Sequence, residues 1–208
     1  MADNYYVLQD GEKTGPFTFK ELVDMGLDIN TRVAPAADST WQNASDVPEF
    51  QDYFEIQGYL FPTEANLASF WWRLLAYVID SIIIAFVMMI FTPQLFLNVY
   101  KNQLANDIST AALLDRLTLN MVAFLFSTIY SSILEATQMR GSLGKKICRL
   151  AVVDADGRKL TFLNALGRNL GKFLSNLVLG VGYLNILWDE HRQAWHDQFA
   201  KTYVIKRS

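Results

Sequence analysis

A chain of 208 residues with a net charge of −3 and a single cysteine has room for one or two domains but for no internal disulfide. The acidic and basic side chains are distributed unevenly along the chain. Residues 1–66 hold 12 acidic and 3 basic side chains, whereas residues 67–208 hold 9 and 15. The acidic N-terminal part would repel nucleic acid, which excludes that class of partner. It also lacks a basic and apolar leader, so we expect it to stay on the side of the membrane where it is made.

Residues 1–55 predict a small α+β domain. The stretch YYVLQDGEKTGPFT indicates two strands joined by a turn at Asp10-Gly11. Thr18 and Glu21 form a capping-box pattern before a short helix that Gly26 closes. The following TRVAPAADSTWQNASDVPEF supplies a further strand and an aromatic-rich end. Residues 56–68, which contain Gly58 and Pro62, predict a linker.

Two long apolar runs lie in the membrane domain that we expect at residues 69–206. Residues 70–91 and 117–136 are each long enough to cross a hydrocarbon core of about 30 Å as a helix. A chain this short cannot bury two such helices in a soluble core of its own. The fold class predicted is therefore a soluble α+β N-terminal domain followed by an α-helical membrane domain with two transmembrane helices.

A third apolar run, Phe173 to Trp188, is only 16 residues long and is split by Gly180 and Gly182. This length and the paired glycines favour a re-entrant or interfacial segment, with a third complete span as the alternative. The connection at 140–172 carries eight basic residues and the connection at 92–116 carries two, so the positive-inside rule places the former in the cytoplasm. With two spans, the N-terminal domain is cytoplasmic too. A re-entrant third segment also keeps the basic C-terminal tail inside.

The basic connection predicts contact with membrane lipids. Its first half, KKICRLAVVDADGRKLTF, has the pattern of a strand, a turn at 154–157 and a second strand. The following FLNALGRNLGKF predicts a helix on the inner surface, where anionic lipid attracts basic side chains. The residues expected at that lipid surface are Lys145, Lys146, Arg149 and Lys172.

No pattern in the chain indicates catalysis. GSLGKK, at 141–146, has its first glycine too close to the Gly-Lys pair for a phosphate loop, and Lys146 stands where a magnesium-binding Ser or Thr would be needed. His191 and His196 have no further ligand pattern around them, so a zinc site is not expected. We therefore predict no enzyme activity, no metal and no cofactor.

Two charged residues interrupt the first span. Arg73 lies near its start and can reach the headgroups, but Asp80 at mid-helix costs about 2.5–3.5 kcal/mol on insertion scales if it is isolated. Asp80 should therefore face a cationic partner, polar neighbours or water, and Arg73 and Arg168 are the candidate partners. Small hydroxyl side chains on the second span could line the same interior: Ser127, Thr128, Ser131 and Ser132. These charges either fix helix packing or line a route for an ion or small solute, and the residues alone leave both interpretations open.

The segments WWRLLAYVIDSIIIAF, GSLGKKICRLAVVDADGRKLTFLNALGRNLGKF and WDEHRQAWHDQFAKTYVI resemble, in this order, the RDD family of bacterial membrane proteins. The resemblance covers roughly residues 68–206. The arginine and two aspartates that name the family correspond to Arg73, Asp80 and Asp197, and Arg168 falls in a matched block. The resemblance implies a bacterial inner-membrane, multi-pass protein with a suspected role in transport. It also implies a charge network of Arg73, Asp80, Asp197 and Arg168. A contact between Arg73 and Asp197 at the inner boundary would leave Asp80 deeper, facing Arg168 or water.

Residues 4–53 resemble the bacterial GYF-like domain through Tyr5-Tyr6, Gly15-Pro16-Phe17, Trp41 and Val47-Pro48-Glu49-Phe50. The resemblance implies binding of a proline-rich peptide, although the Gly-Tyr-Phe triplet is missing. Aromatic residues of so small a domain are more often core than binding surface. Where exposed, Tyr6, Phe17 and Trp41 are the candidates to stack on a polyproline helix. The acidic charge of the domain also suits a basic peptide or protein.

Two functions follow as hypotheses. In the first, the charged membrane interior serves transport or ion handling, and the cytoplasmic domain binds a peptide or protein. In the second, the protein is a membrane-anchored adaptor, in which the N-terminal domain recruits a partner and the spans only hold it. Two spans are too few to enclose a pathway, so transport predicts a homo-oligomer.

Overall fold

The computed structural model describes residues 4–9, 11–38, 40–177 and 180–207. The chain separates into two compact units, residues 1–60 and 61–208, and the boundary between them falls inside the predicted linker. The last residues of that linker belong to the second unit, because the Ala68 amide donates to Val204 O at 2.9 Å and Leu67 pairs with Ile205.

The N-terminal unit is a four-stranded antiparallel sheet with short helices. The strands are β1 (Tyr5–Gln9), β2 (Glu12–Phe17), β3 (Arg32–Pro35) and β4 (Gln42–Asn43), in the order β2-β1-β3-β4. Helix α1 (Phe19–Asp24) follows β2, and α2 (Gln51–Ile56) ends the unit. The core consists of large side chains that are at most 2% exposed, Tyr5, Leu22, Ile29, Phe50 and Phe54. Asp10 of the predicted turn lies outside the described residues.

The start of α1 follows the predicted capping box. Thr18 Oγ1 accepts from the Glu21 amide at 3.4 Å, and Glu21 Oε2 accepts from the Thr18 amide at 2.7 Å. Two amides that the first turn of a helix leaves without partners are thereby satisfied.

The second unit is built around two long apolar helices. Helix α3 (Phe70–Phe91) and helix α5 (Thr110–Ala136) are the two helices in the described part of the chain that are long and apolar enough to cross a membrane. Between them lies α4 (Pro93–Leu104), which packs against α5 and which the apolar pattern does not predict. Pro93 occupies the first turn of α4, where its missing amide costs nothing.

The second strand predicted in the basic connection is wrong. Helix α6 (Leu143–Ile147) precedes strand β5 (Leu150–Asp154), but β5 pairs along its length with the C-terminal strand β6 (Thr202–Lys206). Asp154 Oδ1 accepts from the amides of Asp156 and Arg158 and so forms the expected turn, after which the chain enters a helix. The pairing of β5 with β6 puts the basic connection and the C-terminal strand on the same side of α3 and α5.

The third apolar run is broken, as the glycines predicted. Helix α7 (Phe162–Leu177) includes the predicted surface helix and extends into the run, and the short helix α8 (Val181–Leu184) begins after Gly180, whose φ is +81°. Gly182 lies so close to α7 that a Cβ at this position would be 2.6 Å from Ser175 Oγ. Helix α8 therefore folds back on α7. Helix α9 (Trp195–Phe199) then leads into β6.

Candidate functional site

Asp197 lies between two arginines at the end of the spans where β5 and β6 pair. Its carboxylate oxygens are 2.6 Å from Arg73 Nη1 and 2.5 Å from Arg168 Nη2, and the side chain is fully buried. Its Oδ2 also accepts from the Ala194 amide at 3.1 Å. Burial alone would raise the pKa of Asp197, but Arg168, His196, Arg73 and this amide together hold it well below the usual range. The structure thus brings Arg73 and Asp197 together as the resemblance implied, in a buried contact.

A second carboxylate, Glu135 at the end of α5, extends the cluster. Glu135 Oε1 is 2.5 Å from Lys145 Nζ and 3.0 Å from Arg168 Nη1, and Oε2 accepts from Asn169 Nδ2 at 3.0 Å. Arg168 therefore bridges both buried carboxylates, and it also donates to Thr202 Oγ1 at 3.2 Å. We call Arg73, Glu135, Lys145, Arg168 and Asp197 the ion-pair network. It joins α3, α5, α6, α7 and α9.

Glu135 is a site residue that the sequence does not single out. In the sequence, Glu135 is an acidic residue at the very end of an apolar run, where a charged side chain costs little free energy. Its position therefore does not mark it as a site residue. The network shows instead that Glu135 is fully buried and paired with two cations. Removing one partner of such a buried pair is costly, since the other charge is then left uncompensated.

Asp80 does not join the ion-pair network. Of the partners expected for it, the described residues supply polar neighbours, and Arg73 and Arg168 pair with other carboxylates. Its Oδ1 accepts from the Gly144 amide at 2.8 Å and from the Tyr130 hydroxyl at 3.4 Å, and its Oδ2 accepts from Ser142 Oγ. These donors are neutral and come from the start of α6 and from α5. Asp80 therefore anchors α6 against α3.

The close packing of α6 on α3 requires a glycine at position 144. A Cβ there would stand 2.2 Å from Ala76 O and 2.8 Å from Asp80 Cγ. Ala76 is itself only 1% exposed. The Gly-Lys pair, which in sequence is similar to part of a phosphate loop, has a different use: Gly144 allows the contact with α3, and Lys145 reaches Glu135.

Of the four basic residues predicted at a lipid surface, Lys146 and Arg149 are exposed. The prediction is wrong for Lys145, which is buried against Glu135 with a side chain 14% exposed. It is wrong also for Lys172, which is half-buried and lines a cavity described below. The helical spacing of Arg168 and Lys172 on α7 indicated a basic surface. The face that carries them packs instead on α5 and α9.

A cavity of about 720 Å³ lies between the two candidate spans and reaches α7. Towards the network it is lined by Lys145, Arg168, Asn169 and Lys172, and farther along the spans by apolar side chains such as Ile84, Met88, Phe96, Leu119 and Phe124. The hydroxyls predicted to face an interior are consistent with this cavity: Ser127, Thr128 and Ser131 line it, and Ser132 accepts from Asn169 Nδ2 at 3.2 Å.

Two titratable groups at the polar end of the cavity have displaced pKa values. Burial lowers the pKa of Lys172 to about 7, the positive charges of Lys145 and Arg168 add to the effect, and Glu135 and Asp197 oppose it. Burial likewise lowers the pKa of His196 to about 3, even though its Nε2 is 3.5 Å from Asp197 Oδ1. His196 is therefore neutral at neutral pH, whereas Lys172 is divided between its charged and neutral forms.

The three aromatic candidates of the N-terminal unit are each partly buried, but they do not share one face. Phe17 pairs directly with Tyr5 across β1 and β2, so its side chain lies on the core face. Tyr6 is the next residue of β1 and points to the opposite face, where Lys13 Nζ lies 3.7 Å from its ring centroid. Trp41 precedes β4, and its carbonyl accepts from Arg32 Nη2 at 3.4 Å. Binding by all three to one peptide stays a prediction.

No cluster of three or more His, Cys, Asp or Glu suited to a metal ion occurs within the ranges that the structure describes. The single cysteine, Cys148, is buried. Burial, above all, raises the pKa of its thiol, and the Asp80 carboxylate adds to that effect.

Comparisons with known proteins agree with this division of the chain. Residues 67–201 match the RDD family, and residues 5–50 match GYF domain 2. An uncharacterized protein of Bacillus subtilis (strain 168), YxaI, is 29% identical over 147 residues, which is 66% of this chain and 96% of YxaI. No solved structure matches the chain.

Proposed function

The chain belongs to the RDD family, and from this premise we propose that its membrane part binds an ion or small solute between the two spans and moves it across the membrane. The observation that carries the proposal is the cavity of about 720 Å³ between α3 and α5, with charged and amide side chains at one end. Polar and ionisable groups are expensive at membrane depth and are found there where they bind or conduct. No catalytic step is part of this proposal.

In this proposal the ion-pair network forms the floor of the cavity. Asp197 and Glu135 are fully buried and are held by Arg73, Arg168 and Lys145, so paired side chains are packed at the end of the spans near β5 and β6. A solute that leaves on this side must pass or displace the network. We therefore propose that the ion-pair network is the gate on this side of the membrane.

The basic connection supports a cytoplasmic location for that floor. Eight basic residues lie in 140–172, and the C-terminal strand β6 is on the same side because it pairs with β5. We therefore propose a multi-pass protein of the bacterial inner membrane with its N-terminal unit in the cytoplasm. A second copy would complete the wall of the pathway, since α3 and α5 leave large apolar side chains exposed, such as Ile82, Phe86, Leu125 and Ile129.

The test is flux through proteoliposomes of the full chain, with Na⁺, K⁺, Cl⁻, acetate and a fluorescent phosphatidylglycerol as probes. Ser127 lines the cavity on α5, so Ser127→Leu should narrow it and reduce flux, whereas Ser127→Ala should leave flux unchanged. No flux of any probe by the wild type, or equal flux in both variants, would refute transport through the cavity. The adaptor hypothesis would then be the better one.

The N-terminal unit is proposed as the peptide- or protein-binding part. An aromatic cluster at its surface favours this: the ring of Phe19, 38% exposed, stacks on Phe50 at 5.1 Å and meets Tyr53 edge-on at 5.9 Å. Partly exposed aromatic rings suit the flat rings of a proline-rich segment. Binding of a proline-rich peptide to the full chain should weaken with Phe19→Ser and not with Leu8→Ser, which changes an exposed apolar side chain of β1.

A further inference from the structure

The cavity has two ends of opposite character. Its lining on α3 runs from Phe70 to Met88, a rise of about 27 Å for a helix. At one end are Lys145, Arg168, Asn169 and Lys172, and the other end is mostly apolar, with Asn120 among its lining residues. A small hydrated ion fits only the first of these environments. A molecule with a polar head and an apolar body fits both.

The polar end carries more positive than negative charge. Arg73, Lys145, Arg168 and Lys172 face two carboxylates, Glu135 and Asp197, and the first three cations already occupy both of them. Asp80 adds one negative charge, but three neutral donors hold it. Among the residues for which contacts are described, Lys172 has no carboxylate within ion-pair distance. An anion in the cavity would supply the missing charge.

A second unsatisfied group lines the same end. Asn169 is 1% exposed, and its Nδ2 is within hydrogen-bonding distance of three acceptors, Ser132 Oγ, Glu135 Oε2 and Ala165 O. These acceptors fix the orientation of the amide, which leaves Oδ1 without a donor. A buried carbonyl oxygen without a donor costs about 1–3 kcal/mol. A ligand that carries a hydroxyl or amine beside its anionic group would satisfy Asn169 as well as Lys172.

We propose that the cavity binds an amphiphilic oxyanion, whose phosphate or carboxylate pairs with Lys172 and whose acyl chain lies along the apolar walls between α3 and α5. The inference rests on the proposed function and names the class of its solute. Two sources share this chemistry: a phospholipid with a hydroxyl or amine headgroup, which also donates to Asn169 Oδ1, and a free fatty acid, which does not.

Binding of such an anion is linked to protons through Lys172. The pKa of Lys172 near 7 means that the empty site is only partly charged at neutral pH, and an anion would favour the protonated form. Affinity should therefore rise as the pH falls from about 8 to about 6. The charged and titratable groups around Lys172 are Arg73 and Asp80 of α3, Glu135 of α5, Lys145 of α6, Arg168 of α7, Tyr183 of α8, and His196 and Asp197 of α9.

The experiment is native mass spectrometry of the full chain in n-dodecyl maltoside, a neutral detergent. The probes are phosphatidylglycerol, palmitate, inorganic phosphate and dodecyltrimethylammonium. We expect the two amphiphilic anions to bind and the other two probes not to bind. Tighter binding of phosphatidylglycerol would identify a phospholipid headgroup as the source, and tighter binding of palmitate would identify a free acid.

Lys172→Gln should weaken binding of the anionic amphiphiles at least tenfold, and Lys172→Arg should retain it. The matched control is Lys146→Gln, an exposed lysine outside the cavity, which should bind as the wild type does. The proposal fails if Lys172→Gln binds unchanged, if dodecyltrimethylammonium binds equally well, or if inorganic phosphate binds as tightly as the amphiphiles. Amphiphile binding without flux would refute transport and leave this inference intact. Flux of small ions without amphiphile binding would refute this inference and leave transport intact.

Discussion

Gly144 is the position where a single added methyl group should damage the membrane part most clearly. In Gly144→Ala the new Cβ would lie 2.2 Å from Ala76 O and 2.8 Å from Asp80 Cγ. The first of these atoms is main chain of the long helix α3, which cannot turn aside as a side chain can. Relief therefore requires α6 to withdraw from α3 by more than about 1 Å, which restores an ordinary van der Waals contact of about 3.5 Å.

That withdrawal breaks the anchor at Asp80. The Gly144 amide donates to Asp80 Oδ1 at 2.8 Å, and Ser142 Oγ donates to Oδ2, so a shift of this size weakens two hydrogen bonds to a carboxylate. Hydrogen bonds to charged groups are worth about 1.5–3 kcal/mol each, which gives a loss of about 3–6 kcal/mol in the free energy of unfolding. Lys145 follows Gly144 in α6, so its pairing with Glu135 should be strained as well.

The measurement is thermal unfolding of the full chain in nanodiscs, followed by tryptophan fluorescence. Gly167→Ala is the matched control, because a Cβ at position 167 of α7 meets no atom within 4 Å. It should stabilise the protein by about 0.5–1 kcal/mol, the usual gain for alanine over glycine inside a helix. Equal melting temperatures for Gly144→Ala and the wild type would refute the close packing of α6 on α3.

Three further predictions concern the network, the cavity and the N-terminal unit. Asp197→Asn should cost about 3–5 kcal/mol in thermal unfolding, because it leaves two buried arginines short of a charge, whereas Asp156→Asn in an exposed turn should cost nothing measurable. The pKa of Lys172 is about 7 in the folded protein and ordinarily 10.5, so the unfolded chain binds more protons between these values and stability rises with pH there. Unfolding from pH 7 to pH 10 should show a smaller rise in Lys172→Met than in the wild type. Thr18→Ala removes half of the capping box and should destabilise the N-terminal unit by about 1 kcal/mol, measured by its thermal transition in the full chain.

The elements that depend on local pattern could be predicted from the sequence. The apolar runs at 70–91 and 117–136 lie in α3 and α5 because their length and composition suffice to specify a span. The capping box at Thr18 is equally local, since both of its partners lie within one turn. Helix α5 begins seven residues before the predicted run, at Thr110, where Ser109 Oγ accepts from the Ala112 amide. The charged pair Asp115 and Arg116 interrupts the apolar pattern of the first two turns, so hydropathy alone begins the run at Leu117.

The partners of the buried charges could not be predicted, because they depend on contacts between distant segments. The sequence left a cationic partner, polar neighbours and water open for Asp80, and the structure supplies polar neighbours, among them the Gly144 amide, 64 residues away. Nothing in the spacing of GSLGKK shows that its helix lies on α3. The basic neighbours of Lys145 predict a surface position, and its burial against Glu135 follows only from where α6 packs. Basic residues that are close in sequence therefore have different surroundings: Lys146 is exposed, whereas Lys145 belongs to the ion-pair network.

The charges that interrupt the first span serve two separate structural purposes. Arg73 is fixed by Asp197, and Asp80 is fixed by neutral donors, so both are satisfied within the fold. A group that is fully satisfied has little left to offer a ligand, because a ligand must replace a contact that already exists. Lys172 and Asn169 are different. Both residues line the cavity, Lys172 has no carboxylate within ion-pair distance among the described contacts, and the buried Asn169 Oδ1 has no donor. The aspartate that interrupts the span therefore holds the cavity in shape, and α7 supplies the groups that a solute would meet.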